Sequence, residues 1–388
     1  MKNFIFYNPV KVVFGKGTIK ELENLLPVNK KILMVYGGGS IKKNGVYDQI
    51  KSVTKGYNVV EFSGIEANPE YETCMKAVDL IKKESVDYIL AVGGGSVIDA
   101  VKFIAAAALS ESNNPWESVV LKSDIKKALP FGVVLTLPAT GSEMNPSSVI
   151  SYRELGQKQA FASPLVYPKF SILDPTTTYS LPDRQVSNGI VDAFVHVLEQ
   201  YLTTDIDTPI QDRWAEGVLL TLIEIGNKIK DNKEDYDTRA NLVWAATCAL
   251  NGNISVGVDQ DWATHQIGHE ITAAYGIDHA QSLAIVLPGL MSIQRKVKEE
   301  KLLQYASRVW GVTQGDRNVI IDEVITRTSL FFQSVGVSGL FADYNIDPKE
   351  AADKISSIFI NRDALLGEHS DISGEVVKEI LLNRQCLY

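Results

Sequence analysis

Tyr88-Ile89-Leu90-Ala91-Val92-Gly93-Gly94-Gly95-Ser96-Val97-Ile98-Asp99 joins a five-residue apolar run to a triple glycine and then to a helical pattern that continues through Leu109. An apolar run without alternation suits a strand buried on both faces, as in a parallel sheet covered by helices. Glycine lets the backbone turn tightly and approach a ligand. The free N–H groups and dipole of the helix that follows favour an anion such as a pyrophosphate. A near copy stands earlier, where Gly37-Gly38-Gly39-Ser40 follows the run Lys31–Tyr36. One such turn can serve chain geometry alone; two at strand ends in one domain favour a dinucleotide. The spacing GxGxxG is missing, because Ile98 holds the third glycine position, so the orthodox Rossmann arrangement is not supported.

Working outward, further β-branched or aromatic runs occur at Asn58–Phe62, Val133–Thr136 and Phe170–Leu173, separated by helix-period segments such as Tyr71–Glu84 and Val97–Leu109. Strand, crossover helix and strand in succession imply a mostly parallel sheet. Phe4–Phe6 and Lys11–Phe14, split by Asn8-Pro9, are expected to add a hairpin. From Pro182 the pattern becomes long amphipathic helices, at Gln185–Leu202, Ile210–Lys230, Tyr236–Asn251 and Trp262–Tyr275. Proline tolerates the start of a helix, where its missing N–H is not needed. The expected organisation is an α/β N-terminal domain over residues 1–182 and an all-α C-terminal domain over residues 183–388.

The bulk numbers narrow the function. With 388 residues the chain exceeds the size of one hydrophobic core, and 45% hydrophobic with 22% charged residues is a globular balance. A net charge of −9 argues against nucleic acid or an anionic membrane surface as partner. No stretch reaches the roughly 20 apolar residues of a membrane span. The N-terminal apolar run is broken by Asn8, Pro9 and Lys11, so export is not expected. Cys74, Cys248 and Cys386 are scattered, without CxxC, which fits the reducing cytoplasm and removes thiolate metal sites.

Two loops bear on the cofactor. An NAD-selective site places a carboxylate near the adenosine ribose. Gly37–Ser40 carries none, and Lys42 and Lys43 follow closely, so the reading leans to NADP(H), with NAD as the alternative. The segment Thr136–Met144 sets small hydroxyl residues around Gly141 at a strand end, where they could line the cofactor.

Four of the five histidines fall between His196 and His279. Asp192 and His196 are four apart in a helical stretch and share one face; His265 and His269 repeat that spacing, and His279 follows a turn. One such pair is usually a packed or surface histidine. Two pairs and a close third element in a His-poor chain favour a metal site, and a carboxylate with imidazoles suits Fe(II), Zn(II) or Mn(II). Spacing alone does not say which of His265, His269 and His279 ligate.

Gly93-Gly94-Gly95-Ser96-x-x-Asp99, Ala139-Thr140-Gly141-Ser142-Glu143-Met144, Asp192-Ala193-Phe194-Val195-His196 and His265-Gln266-Ile267-Gly268-His269-Glu270 with His279-Ala280 resemble the iron-containing (group III) alcohol dehydrogenase family over nearly the whole chain. The branch they resemble is the NADPH-dependent butanol dehydrogenase and aldehyde reductase type. The resemblance implies a dehydroquinate synthase-like N-terminal sheet. It implies a metal held by Asp192, His196, His265 and His279, with His269 beside it as the catalytic, pocket-lining histidine. It implies cofactor contacts at Gly38, Gly39, Ser40, Gly94, Gly95, Ser96, Asp99, Thr136, Thr140, Ser142 and Lys158. A small aliphatic alcohol or aldehyde is the implied substrate, Fe(II) or Zn(II) the metal, and a homodimer the implied assembly.

The chemistry so implied is hydride exchange between NADP(H) and a substrate carbon whose oxygen is polarised by a cation. A dehydroquinate synthase-like lyase, using NAD and a metal in the same layout, is the rival. Its carboxylated, hydroxylated substrate needs basic residues around the metal, whereas Phe194, Val195, Trp262 and Ile267 flank the candidate ligands here. A structural metal site in a regulatory protein would suit a closed thiolate set, which is missing.

Overall fold

Eight strands form in the computed structural model, which describes residues 1–383 and 385: β1 Lys11–Phe14, β2 Lys31–Tyr36, β3 Asn58–Ser63, β4 Tyr88–Gly94, β5 Phe131–Leu137, β6 Ser147–Tyr152, β7 Gln157–Ala162 and β8 Phe170–Leu173. Six make one parallel sheet in the order β1-β8-β5-β4-β2-β3. Successive residues of its strands enter two different cores. Leu33, Val35, Ile89, Ala91, Val133 and Leu135 pack with Val78, Ile98 and Val101 of the helices Tyr71–Glu84 and Gly95–Ala107. Ile32, Met34, Leu90, Val92, Val134 and Ile172 pack on the other face with Ile19, Ile41 and Ile50. Burial on both faces is why these strands read as unbroken apolar runs.

The strand order contains a reversal. From β2 the chain steps outward to the edge strand β3, then crosses back to place β4 on the other side of β2. In open α/β sheets a ligand crevice forms at such a switch, outside the carboxyl ends of the two strands. Gly37–Ser40 and Gly93–Ser96 stand at those ends.

Two expectations for this region are corrected. Phe4–Phe6 forms no strand, and β1 pairs in parallel with β8 rather than in a hairpin. The hairpin that does form is β6–β7, whose polar Ser147, Ser148, Ser151 and Gln157 hid it from an apolar-run reading. Gly156, with φ +59°, closes its turn.

The chain divides into two compact units, and the division departs from a single cut at residue 182. One unit is Tyr7–Leu181 with Lys233–Thr247; the other is Met1–Phe6, Pro182–Asn232 and the chain from Cys248 onward. The 233–247 segment joins the first unit because Val243 enters the sheet's core and Trp244 stacks edge-on against Phe14 at 6.1 Å. Among the described residues the second unit is helical, with only an isolated bridge between Leu366 and Ile372. Its helix Asp183–Tyr201 is buried without interruption from Gly189 to Tyr201, so Asp192, His196, Glu199 and Gln200 are polar groups that must find partners inside. No helix among the described residues is long and apolar enough to cross a membrane. Burial pushes the Cys74 thiol well above its ordinary value, while Cys386 lies outside the described residues.

Gly132 of β5 lies opposite Phe170 of β8, and a Cβ there would stand 2.2 Å from the buried ring. Gly132→Ala is expected to destabilise the protein by about 1–3 kcal/mol through overpacking, read as a lower urea midpoint; an unchanged midpoint would mean that the two strands can slide apart at no cost.

Candidate active site

Asp192, His196 and Glu199 follow one another at i, i+4 and i+7 along the helix Asp183–Tyr201, so one face carries all three. The helix Ala263–Tyr275 brings His265 and His269 alongside. It stops at Gly276, in the left-handed region with φ +70°, and the next helix begins at His279. Asp278 caps that helix in a reciprocal capping box with Gln281, and Asn188 donates to the Asp278 carboxylate at 2.7 Å. His279 is thereby tied to the helix that bears Asp192.

Asp192 is the centre of the cluster. Its Oδ1 lies 3.9 Å from His265 Nε2 and 3.8 Å from His279 Nε2, and its Oδ2 lies 3.8 Å from His196 Nδ1. These separations are too long for hydrogen bonds but suit donor atoms that share one cation at about 2.0–2.2 Å each. Asp192, His265 and His279 each offer a ligand atom within 4.8 Å of the others. His196 lies against this trio, its ring stacked on His265 at a centroid distance of 4.4 Å. Asp192 Oδ1, His196 Nδ1 and His265 Nε2 are buried without a hydrogen-bond partner. Buried lone pairs that converge and are otherwise unsatisfied fit a divalent cation.

The electrostatics agree. Burial opposes ionisation of Asp192, yet His196, His265 and His279 hold its carboxyl well below the usual range. Burial pushes the His196 imidazole down to about 4, so it is neutral and keeps a lone pair to offer. Burial opposes a charge on His265 too, but Glu199 and Asp192 outweigh it and raise that imidazole to about 9. A cation would take over the role of that proton.

Glu199 was not anticipated from the sequence, although its i+7 spacing from Asp192 was the signal. It accepts from His265 Nδ1 and, at 2.6 Å, from the Thr264 N–H. A carboxylate on Nδ1 fixes the tautomer and turns Nε2 toward Asp192. His269 sits one turn on, half-buried, its ring 4.8 Å from His279 and 6.3 Å from His265. It borders the cluster.

In the sheet unit, Gly94, Gly95 and Ser96 form the passage from β4 to the helix Gly95–Ala107. None of Gly93–Gly95 has positive φ, whereas Gly39 has φ +92°. Gly93–Gly95 are required by close packing: an added Cβ would meet Val97 at 2.6 Å, Leu137 at 2.8 Å and Thr140 Oγ1 at 2.3 Å respectively. Gly38, Gly39 and Ser40 turn the chain beside them, with Val97 Cγ2 only 3.8 Å from where a Cβ on Gly37 would lie. Ser96 donates to the Ala67 carbonyl, and Lys158 of β7 donates to Asn68 at 3.0 Å. Thr136 is buried near the end of β5, and Thr140 accepts from the Ser142 N–H. Asp99 and Ser142 are turned inward: Asp99 accepts from Ser142 Oγ and from the Val149 N–H at 2.9 Å. Ser142 is buried and Asp99 half-buried.

Beneath the turn sits Lys102, fully buried, which the sequence reading also missed; a lysine in the otherwise apolar stretch Val101–Leu109 was its signal. Its ammonium donates to Ser142 Oγ at 2.7 Å, Asn145 Oδ1 at 3.0 Å and the Ser147 carbonyl at 2.6 Å. Burial pushes it down to about 8, with Asp99 and Glu143 opposing. At the β2 end, Lys42 lies 5.2 and 5.0 Å from the Tyr36 and Tyr47 ring centroids. The Glu61 carboxylate nearby accepts from both tyrosine hydroxyls and from Lys51.

Residues 9–175 match the family model described as iron-containing alcohol dehydrogenase, and residues 186–384 match that of the C-terminal part of the same family. The chain is 52% identical over 382 residues to the NADPH-dependent aldehyde reductase YqhD of Escherichia coli, covering 98% of this chain and 99% of that one. It is 42% identical over 386 residues to the probable NADH-dependent butanol dehydrogenase 1 of Bacillus subtilis, covering 98% and 99%. A crystal structure of Escherichia coli YqhD matches with a TM-score of 0.96 at 51% identity, covering 98% of each chain. That of NADH-dependent butanol dehydrogenase A of Thermotoga maritima matches with 0.93 at 38% identity, again covering 98% of each.

Glu199→Gln keeps the shape and removes the charge behind His265. Zinc affinity, measured by chelator competition, is expected to fall about 10- to 100-fold; unchanged affinity would show that Glu199 does not orient the ring. Lys102→Met removes the donor shared by Ser142 Oγ, Asn145 Oδ1 and the Ser147 carbonyl and is expected to destabilise by about 3 kcal/mol in urea unfolding. NADPH binding by fluorescence should weaken in the same variant; wild-type values in both measurements would remove Lys102 from the turn's support.

Proposed function

The chain belongs to the iron-containing alcohol dehydrogenase family, and on that premise we propose that it interconverts small aliphatic aldehydes and alcohols by hydride exchange with NADP(H). We assign Asp192, His196, His265 and His279 to hold the metal. The observation that carries this reading is the convergence of buried, otherwise unpartnered donor atoms on Asp192, His196 and His265. When bound, Fe(II) or Zn(II) supplies Lewis acidity that makes a carbonyl carbon electrophilic, and the nicotinamide supplies or accepts the hydride.

The chain's own residues then have distinct tasks. Asp192 provides the negative charge, and His196, held neutral by burial, provides a lone pair. Glu199 keeps His265 aimed. His269, at the rim of the cluster, is the group placed to hold or move a proton at the substrate oxygen. Gly94–Ser96 bring backbone close to the pyrophosphate, with Asp99, Thr136, Thr140, Ser142 and Lys158 shaping that turn. Gly38, Gly39 and Ser40 lie at the adenosine-ribose end. There Glu61 is occupied by two hydroxyls and Lys51 while Lys42 adds positive charge, which supports NADP(H) over NAD.

The lyase reading loses its footing with the family assignment. We place the enzyme in the cytoplasm, on its scattered cysteines. We also propose a homodimer, since the edge strand β1 carries the exposed Phe14 against the exposed Trp244, apolar surface that a second copy would cover.

Chelator-stripped protein is expected to leave NADPH absorbance unchanged with butyraldehyde, and Fe(II) or Zn(II) to restore its loss. NADPH should exceed NADH in kcat/KM by about tenfold, the contribution of one added charge pair near the surface. Turnover that survives full metal removal would sink the metal assignment, and equal use of both cofactors would sink the role given to Lys42.

A further inference from the structure

Lys298 lies at the start of the helix Glu299–Trp310, in the same helical unit as the histidine cluster. Its side chain is 3% exposed. An ammonium has three protons to donate. Here each goes to a different segment: to the Leu202 carbonyl at 2.8 Å, to Asp261 Oδ2 at 2.7 Å and to Glu368 Oε1 at 2.6 Å. The Asp261 and Glu368 side chains are as deeply buried, at 2% and 4% exposed. Burial opposes the charge on Lys298, but Asp261 and Glu368 outweigh it and keep the group protonated.

The places these acceptors occupy give the contact its meaning. Leu202 is the residue that ends the helix carrying Asp192, His196 and Glu199. Asp261 stands immediately before the helix carrying His265 and His269. Its Oδ1 accepts from the Ala263 N–H at 2.8 Å, and its own N–H donates to the Glu199 carbonyl at 2.9 Å. Between them Trp262 is held in the left-handed region at φ +63°, a conformation that a bulky side chain adopts only when its surroundings impose it. So held, its indole lies edge-on to His265 at 5.4 Å and to His196 at 6.2 Å.

We propose that Lys298, acting through Asp261, is a positioning residue of the metal centre that fixes the end of the Asp192 helix against the start of the His265 helix. The proposal rests on the metal reading above. Without the ammonium, Asp261 loses the charge that holds it, Trp262 is freed to leave its left-handed conformation, and His265 loses its register against Asp192 and His196.

The test uses Lys298→Met, Asp261→Asn and the double variant, each as the full chain. Zinc affinity is read by competition with a chromophoric chelator, and ligand geometry by the d–d absorption of the Co(II)-loaded protein. Thermal unfolding and NADPH binding are measured alongside. Each single variant is expected to bind zinc about 10- to 100-fold more weakly, as for other groups that orient ligands from behind. Each should also shift the Co(II) spectrum and leave NADPH binding unchanged. The double variant should be no worse than the weaker single, because both residues act through one contact. A folded Lys298→Met protein with wild-type zinc affinity and Co(II) spectrum overturns the proposal, whatever its melting temperature. Should Lys298→Met fail to fold, Asp261→Asn decides by the same two readings. Wild-type protein that binds neither Zn(II) nor Co(II) would overturn the metal reading itself and this inference with it.

Discussion

A carboxylate taken out of water must be met by positive charge or by hydrogen-bond donors, or give up its own charge to a proton. Asp192 and Glu199 make that demand twice on one buried helix face. His265 lies between them, raised to about 9, but a proton there answers only one of the two charges. A divalent cation answers both. Held by Asp192 and the imidazoles, with His265 neutral and its Nδ1–H donated to Glu199, it would leave the cluster balanced and its lone pairs satisfied. The helix ends, the capping box at Asp278 and the turn at Gly276 serve that arrangement, since each sets the position of a histidine around Asp192.

In the sheet unit the governing constraint is backbone approach. Gly93, Gly94 and Gly95 are needed because Val97, Leu137 and Thr140 already fill the space a side chain would take. The structural reading of a glycine turn and the ligand-binding reading are therefore compatible here. The turn that packs tightly enough to exclude a Cβ also presents bare N–H groups at the carboxyl end of β4, at the point where strand order reverses. Asp99 and Ser142, turned into the protein, contribute by holding the 140–149 loop to the helix that follows the turn.

What could be read from the sequence was whatever repeats locally. The sheet strands β2, β3, β4, β5 and β8 are visible as apolar runs, and Asp192 with His196 as a helical spacing. The β6–β7 hairpin, built on serines and glutamines, carries no such run. Phe4–Phe6 carries one but gains no strand partner, so hydrophobicity alone misled. Glu199 and Lys102 left local marks, an i+7 spacing and a charge in an apolar helix. Lys298 left none: its partner Glu368 is 70 residues away, and a lysine at a helix start is ordinarily solvated. Charge pairs closed by tertiary structure have no period to detect.

Lys102 and Lys298 are solutions to one problem. Each is a buried ammonium with all its donors used: Lys102 ties the helix after the glycine turn to three residues of the 142–147 stretch, and Lys298 joins three separate segments behind the histidines. Stability alone does not explain Lys298 and its two carboxylates, since exchanging a whole buried ion pair for well-packed apolar side chains is often neutral or stabilising. An apolar contact, however, tolerates sliding, and a shift of about 1 Å is enough to spoil a metal or phosphate site. Hydrogen bonds to a charged donor are directional and short, and a buried carboxylate that loses one is heavily penalised. Such a brace admits few arrangements of the segments it joins. Beside the two candidate sites such a brace serves what a metal or phosphate site would demand: positions that do not drift.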